Sequence, residues 1–503
     1  MPDAIDKTAN DTVASGPTYT RRVYPLDAHD LSEEQIAVAF AMTSRRPEAF
    51  DVIAEQVSKE KAADFHERWV LGYGHASVAE HAVIHLAMEN ISRLACDTLE
   101  DNRLASYTEK SSRYQLMPAD FFHLPQELKQ DRPLTSLFND TCAQLFKDYH
   151  GMVDACIDHL KGEYPQREKE RDSVYKTRLS RMATDSCRAL LPAATLTNVG
   201  VTANARVLEH AVSKLMSSEL EEERVLGEDI RDQARIITPT LIKYAGRNDY
   251  MEAARRAQTG LSNRFAHADA LSSTPSNSVA NRTARAEDAR PNVKLLHWDD
   301  QAEERLAAAL LYRRSHLSYD EIWSRVVDMG TEQRSQIIAE SVDGMGPHDA
   351  PVREFELVDY TFEFLMDYGA YREFKRHRMQ SYIPQPLSTI HGYEVPQLLV
   401  DAGLQQRFED ALGPVEEAYK QVGEISPAVA EYLVTHAHFR RLITRINLRE
   451  CYHLFKLRTS ELAHFAIREP ILEAMRLAVD THPSLFRHLS LRDYPAWWPF
   501  PPN

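Results

Sequence analysis

The chain has 503 residues, about three times a typical domain of roughly 150, with 43% hydrophobic and 27% charged residues and a formal net charge of −16 at pH 7. This composition excludes a wholly disordered, collagenous or disulfide-framework protein and predicts at least two domains. Its acidic field repels nucleic acid and anionic lipid except where Lys and Arg are locally concentrated, so neither a nucleic-acid polymer nor a membrane is expected as partner.

In chain order, the polar residues 1–18 read as a disordered tail. Val23-Tyr24-Pro25-Leu26 reads as a strand leading into a helix from Leu31, with Ser32 and Gln35 forming a capping box. The same pattern recurs at an offset of 270, where Val293-Lys294-Leu295-Leu296 precedes Gln301-Ala-Glu-Glu-Arg-Leu. There Asp300 is the expected N-cap, and Ser318 with Glu321 caps the next helix. The chain therefore reads as a duplicated domain, 19–256 and 292–503, joined by a Ser-, Asn-, Ala- and Thr-rich linker at 257–291. Its 17 glycines, about half the usual share of roughly 7%, predict mostly helix. The five cysteines form no C-x-x-C pair, and with no signal peptide evident they predict reduced thiols in a cytoplasmic protein without a metal site. The last ten residues, with four prolines and aromatics, pin the terminus without a helix.

Chemistry concentrates in four segments. The first copy carries Gly74-His75-Ala-Ser77-Val-Ala-Glu80-His81 and, further on, Glu109-Lys-Ser111-Ser112-Arg113. A carboxylate, two hydroxyls and an arginine in five residues suit a small anion or a nucleotide edge, or simply a polar surface loop. The second copy carries Arg372-Glu373-Phe374-Lys375-Arg376-His377-Arg378, either a phosphate site or the solvated basic face of a helix. Arg188-Ala-Leu-Leu-Pro192 follows in the first copy. Asn204-Ala-Arg206-Val-Leu-Glu-His210 is matched by Asn447-Leu-Arg449-Glu-Cys-Tyr-His453, with Arg458 beyond. On a helix this spacing puts Arg and His on one face with Asn flanking it, and its recurrence points to a shared ligand.

Taken together, these segments resemble the flavin-dependent (alternative) thymidylate synthases. The resemblance covers roughly 20–250 and 293–495 as two tandem domains. It implies an α+β, helix-rich fold, each copy having long helices and a small, twisted, mainly antiparallel sheet. It further implies FAD as cofactor, NADPH and methylenetetrahydrofolate as co-substrates, dUMP as substrate, dTMP as product, and no cysteine nucleophile. Residue by residue, it assigns catalysis to Arg376 and Ser111, and substrate binding to Glu109, Ser111, Ser112, Arg113, Arg188 and Arg458. His75, Ser77, Glu80, Arg376, His377, Arg378, Asn204, Arg206, His210, Asn447, Arg449 and His453 would line the flavin.

Each copy departs from the family pattern. The first has Asp101-Asn102-Arg103 for Arg-His-Arg and Leu215 for the late arginine; the second has Pro386 for the serine and Glu431 for the arginine of Arg-x-x-Leu-Pro. These losses are complementary. One composite site, built from the Glu109–Arg113 loop and Arg188 with Arg376 and Arg458, would survive per chain, and two chains would pair as a homodimer imitating the family tetramer. The family's Gln before Arg-His-Arg is Thr98 in one copy and Glu373 in the other, which leaves open another uracil nucleotide as substrate. A degenerate flavin- or nucleotide-binding scaffold is the third reading.

Overall fold

The computed structural model describes residues 22, 24–26, 29–72, 74–272, 292–346 and 348–501. The expected tail at 1–18, Val23 of the expected first strand, the 273–291 part of the linker and the last two residues lie outside these. The chain forms two compact units. One holds the chain up to Ile84 with Asn204–Arg206 and Ala234–Lys243; the other holds His85–Ala203, Val207–Gln233 and Tyr244 onward.

The first unit is a small helical body. Ser32 caps helix Glu33–Thr43 and closes a capping box with Gln35, as the sequence predicts. Helices Phe50–Glu55 and Lys59–Phe65 follow, and Val38, Ala39, Ile53, Ala54, Val57 and Ala62 close its core. A π turn, His66–Leu71, precedes the Gly-His segment, of which Ala76–His81 form a 3-10 turn. Residues 24–26 form no strand, contrary to expectation. The proline there has no amide hydrogen to donate to a ladder.

The second unit contains two sheets. Strands β1 (Val83–Ser92), β2 (Ser106–Glu109) and β3 (Leu196–Asn204) are ordered β1-β3-β2. Strands β4 (Asn292–Trp298), β5 (Asp359–Asp367), β6 (Gln380–Pro384) and β7 (Phe439–Asn447) are ordered β4-β5-β7-β6, all antiparallel. On β5, Tyr360, Phe362, Phe364 and Met366 are buried and alternate with half-buried neighbours, the period of a one-sided strand. Long helices Arg132–Glu163 and Gln405–Ile425 supply buried stripes, Phe138, Leu145, Tyr149 and Met152 from one and Phe408, Leu412 and Val415 from the other. Tyr494, Trp497, Trp498 and Phe500 pack against this same core, which fixes the proline-rich terminus. The fold is therefore α+β and helix-rich.

The two repeats join at a local two-fold. Pro192 bridges Thr435, Ala193 N–H donates to Val434 O at 2.8 Å, and His436 N–H donates to Leu191 O at 3.0 Å. Residues 192 and 435 are themselves equivalents, 243 apart, so each repeat pairs with its own counterpart. One core consequently draws on both repeats, and the expected boundaries 19–256 and 292–503 do not delimit the compact units.

Two local expectations need correction. Helix Asp249–Ser272 runs into the segment expected as linker, because Ala, Arg, Gln and Leu sustain helix through its first part. Asp300 is not the N-cap of helix Ala302–Tyr312. Gln301 holds that position, while Asp299 accepts Gln301 N–H at 3.0 Å and Asp300 accepts Trp298 Nε1–H at 2.9 Å.

Candidate active site

A cavity of about 230 Å³ opens within the second unit, lined from both repeats. The first repeat contributes the loop after β2, with Glu109, Lys110, Ser111, Ser112, Arg113 and Tyr114, together with Arg93 and Arg188. The second contributes Gly369, Arg372 and Glu373 from helix Tyr368–Phe374, Arg376 just beyond it, His436, and Arg458 at the end of helix Leu448–Arg458. Seven cationic side chains, Arg93, Lys110, Arg113, Arg188, Arg372, Arg376 and Arg458, thus face two carboxylates, Glu109 and Glu373. In an acidic protein this is a local anion-binding field.

Glu109 anchors one wall. Its Oε1 accepts from Arg93 Nη1 at 3.0 Å, Arg372 Nη2 at 2.6 Å and Thr197 Oγ1 at 3.0 Å, while Arg376 Nη2 lies 3.6 Å from Oε2. Burial raises this carboxyl, but the guanidiniums of Arg372 and Arg93 outweigh it and hold it down at about 2. Glu109 therefore reaches the cavity already committed to arginines. Glu373 occupies the other side. Arg188 Nη2 meets it at 3.0 Å, Arg458 Nη1 at 3.3 Å and Arg113 Nη1 at 3.7 Å. Against the opposing effect of burial, Arg188 and Arg113 keep its carboxyl below the usual range. Asp185 clamps Arg113 through two bonds of 2.8 and 3.0 Å, so that guanidinium is pre-oriented. Ser111 Oγ accepts Arg113 N–H at 3.3 Å, and Ser112 is buried.

The basic run in the second repeat is divided where helix Tyr368–Phe374 ends. Arg372 turns to Glu109, and Arg376 is half exposed at the cavity. Lys375 instead is buried between Asp97 at 2.6 Å and Asp101 at 2.7 Å. Arg378 donates to Ala105 O and Arg103 O, and His377 packs beside Glu450 with Nδ1 at 3.0 Å. His377 Nε2 accepts Arg458 Nε–H at 3.0 Å, which makes the neutral, Nδ1-protonated form the one that satisfies both contacts. Burial, chiefly, keeps that imidazole below its ordinary value, against the opposing bond to Glu450.

The remaining expected flavin residues are not gathered at this cavity. Asn447 is the N-cap of helix Leu448–Arg458 and accepts Glu450 N–H at 2.8 Å, so it lies at the helix entrance and not on its face. Arg449 is spent on Pro351 O at 2.8 Å and Glu356 at 3.1 Å. His453 is exposed, its ring 5.3 Å from that of His377, and His210 is exposed on helix Ala205–Met216. Arg206 pairs with Glu80 in the first unit, to which Asn204, the last residue of β3, also belongs. His75 and Ser77 line a different cavity of about 510 Å³ in that unit, with Phe40, Phe65, Trp69, Arg45 and Arg46.

At the positions equivalent to the basic cavity, the polar groups pair within the protein. Arg376, Ser111, Arg188 and Arg458 correspond to Asp101, Pro386, Glu431 and Leu215. Around those positions Arg440 Nη1 meets Asp97 at 3.1 Å, Tyr382 O–H meets Asp101 at 3.1 Å, Lys214 meets Asp101 at 2.7 Å, and Glu431 accepts Leu387 N–H at 3.0 Å. Asp97 and Asp101 are thus engaged by Arg440 and Tyr382 of the second repeat and by Lys214 of their own, and Glu431 by a main-chain amide of its own repeat.

The pattern of the family described as "Thymidylate synthase complementing protein" matches residues 26–240 and again 294–484. The chain belongs to that family. It is 29% identical over 462 residues to a UPF0159 protein of Chlamydia pneumoniae, covering 89% of this chain and 83% of the relative. A UPF0159 protein of Thermoplasma acidophilum is 26% identical over 478 residues, covering 87% and 91%. A flavin-dependent thymidylate synthase of Clostridium tetani is 26% identical over 214 residues, 42% of this chain and 82% of the relative. The two family matches agree with the repeat legible in the sequence. Among the described residues no helix is long and apolar enough to cross a membrane.

Sequence reasoning missed Arg93, Lys110, Tyr114, Gly369, Arg372 and His436 as cavity residues. Arg372 stood in the basic run, and the complementary losses already required both repeats at one place. His436 left no such signal, since its equivalent in the first repeat is Ala193.

Proposed function

We propose that the chain is a flavin-dependent methylase that converts dUMP to dTMP, with methylenetetrahydrofolate as one-carbon donor and NADPH as reductant. The observation that supports this reading is the excess of cations drawn from both repeats into one cavity. Its volume of about 230 Å³ lies below the roughly 300–1,000 Å³ of sites for larger ligands and suits a mononucleotide more than a dinucleotide. In this reading Arg113, Arg188 and Arg458 hold the phosphate and a pyrimidine carbonyl through charge-assisted bonds. Arg376 stabilises negative charge that develops on the ring, and Ser111 and Ser112 polarise the substrate without acting as nucleophiles, no base standing beside them in the sequence.

The aromatic and guanidinium lining around His75 and Ser77 fits a flat ring system with a diphosphate, and FAD bound there would supply the reducing equivalents. His75 and Ser77 would hold it directly, with Glu80, Asn204 and Arg206 of the same unit as its other proposed neighbours. Two chains would associate as a homodimer resembling a pseudo-tetramer, which sedimentation of the full chain tests.

A second reading, another uracil nucleotide as substrate, is favoured by Glu373, a carboxylate where the family pattern has Gln. The deciding experiment uses purified protein with FAD, NADPH and methylenetetrahydrofolate. Release of the C5 hydrogen from tritiated dUMP supports the first reading, and release only from another uracil nucleotide supports the second. Protein that stays colourless after addition of FAD overturns both and leaves a binding scaffold.

A further inference from the structure

A second, smaller space adjoins the basic cavity and shares Arg188, Gly369 and His436 with it. Its other titratable groups are Asp185, Asp367, Glu394 and His464. His436 is 3% exposed, and neither of its ring nitrogens makes a hydrogen bond of good geometry, the Arg188 main chain being its one weak polar neighbour. Glu394 Oε2 is buried without a partner. Gly369 leaves the wall beside His436 bare; a Cβ there would stand 3.5 Å from His436 Cβ. Two poorly paired nitrogens in a built polar site signal a ligand or a proton as partner.

Elimination within the basic cavity points the same way. Glu109 and Glu373 are tied to guanidiniums, the arginines and Lys110 offer donors, and the remaining polar side chains are hydroxyls. Among the lining residues His436 alone is a neutral, uncommitted acceptor.

We propose that His436 is the proton-transfer group of the basic cavity and that Asp367 and Glu394 are the acid pair with which it exchanges that proton. The inference rests on the cavity being a uracil-nucleotide site. Once C5 of the pyrimidine has bonded to the incoming one-carbon unit, its C–H bond breaks, and the electron pair remains in the ring. The proton forms an N–H bond on the unprotonated nitrogen of His436, whose other N–H gives its proton to a carboxylate of the pair. The imidazole ends neutral, and the acid later releases its proton to water.

The surrounding charges suit a relay and not a store. Burial, with Arg93, Arg372 and Arg188 adding to it, pushes His436 well below its usual value, so imidazolium is disfavoured. Burial lifts Asp367 to about 7, opposed by the Ala370 N–H bond and Arg188 and aided by Glu373. Burial lifts Glu394 to about 8, with Asp367 and Glu469 adding to the rise. His464, also buried and facing Arg188, Glu373 and Arg113, stays neutral, with its Nε2 3.3 Å from Asp185 O. Both carboxyls therefore change protonation near neutral pH. The ionised form is the acceptor, so turnover rises with pH through about 7 to 8.

The test joins infrared spectroscopy to kinetics on the full chain. Wild-type protein at pH 7 is expected to show a buried carboxylic-acid C=O absorption that titrates near 8 and is lost in Glu394→Gln; Asp367→Asn also removes a helix cap, so it is the lesser variant. Absence of that absorption in the wild type overturns the acid pair whatever the substrate. With FAD, NADPH and methylenetetrahydrofolate, His436→Gln should lower kcat for C5 tritium release from dUMP by ~100-fold or more with KM changed less than threefold, and Glu394→Gln should displace the pH midpoint. An active wild type with an unaltered His436→Gln rate, or a Glu394→Gln midpoint equal to wild type, overturns the relay. Wild type that shows the absorption but releases no tritium from any uracil nucleotide supports the acid pair and overturns the substrate reading instead.

Discussion

Replacing Glu109 by glutamine should separate the structural role of this carboxylate from any part in ligand binding. Its side chain is 3% exposed and sits against Arg93, 2% exposed, and Arg372, 6% exposed. Glutamine keeps the shape but leaves two buried guanidiniums without their counter-charge, a loss of ~3–5 kcal/mol. The proton linkage points to a similar size. The carboxyl lies at about 2 in the folded protein and near 4.3 when exposed, and a difference of roughly 2 units is worth about 3 kcal/mol. Because the folded value is depressed, this stabilisation is fully present above about pH 4.3 and disappears as pH falls towards 2. Urea unfolding of wild type and Glu109→Gln, followed by far-UV circular dichroism between pH 7 and 2.5, measures the difference while other titrating groups largely cancel. The expected gap is ~3 kcal/mol at pH 7 and shrinks steadily below pH 4. A gap under ~1 kcal/mol at pH 7, or one independent of pH, would refute the account of Glu109 as the buried anchor of two arginines.

Glu373→Gln removes a negative charge from among Arg113, Arg188 and Arg458, so calorimetric affinity for inorganic phosphate should rise several-fold; an unchanged or lower affinity shows that Glu373 does not compete with the ligand's anion. Arg113→Ala and Arg458→Ala should each abolish dUMP turnover, and mixing the two variant proteins should not restore it, since both residues meet in one chain; recovered turnover would place the working site between chains. Lys375→Met breaks the buried contacts to Asp97 and Asp101 and should cost ~3–5 kcal/mol of stability while nucleotide affinity of the folded protein, measured by equilibrium dialysis, stays within threefold. A large loss of affinity would mean that Lys375 serves the ligand after all.

Much of this architecture follows from local pattern. The capping boxes at Ser32 and Ser318 form because a hydroxyl and a carboxamide or carboxylate three residues apart satisfy two amide donors wherever they occur. The duplicated order of strands and helices, and the complementary substitutions at Ser111/Pro386 and Arg188/Glu431, were equally legible, because they are statements about one sequence compared with itself. Two local readings failed: Tyr24-Pro25-Leu26 is no strand, and the linker begins as helix. Isolated short segments carry too few contacts to declare their state.

What the sequence could not decide was which charges face a ligand. Arg372, Lys375 and Arg376 are close neighbours in the chain, yet one anchors on Glu109, one is locked between Asp97 and Asp101, and one opens to the cavity. Successive helical positions point about 100° apart, and their partners lie hundreds of residues away. The same holds for His436, whose poorly paired ring nitrogens are a property of its buried surroundings and not of its neighbours in the chain. Composition and motif spacing determine that two diverged copies exist and what each has lost. The pairing of Pro192 with Thr435 decides where the surviving groups meet, because burial and charge neutralisation depend on distance in space and not on distance along the chain.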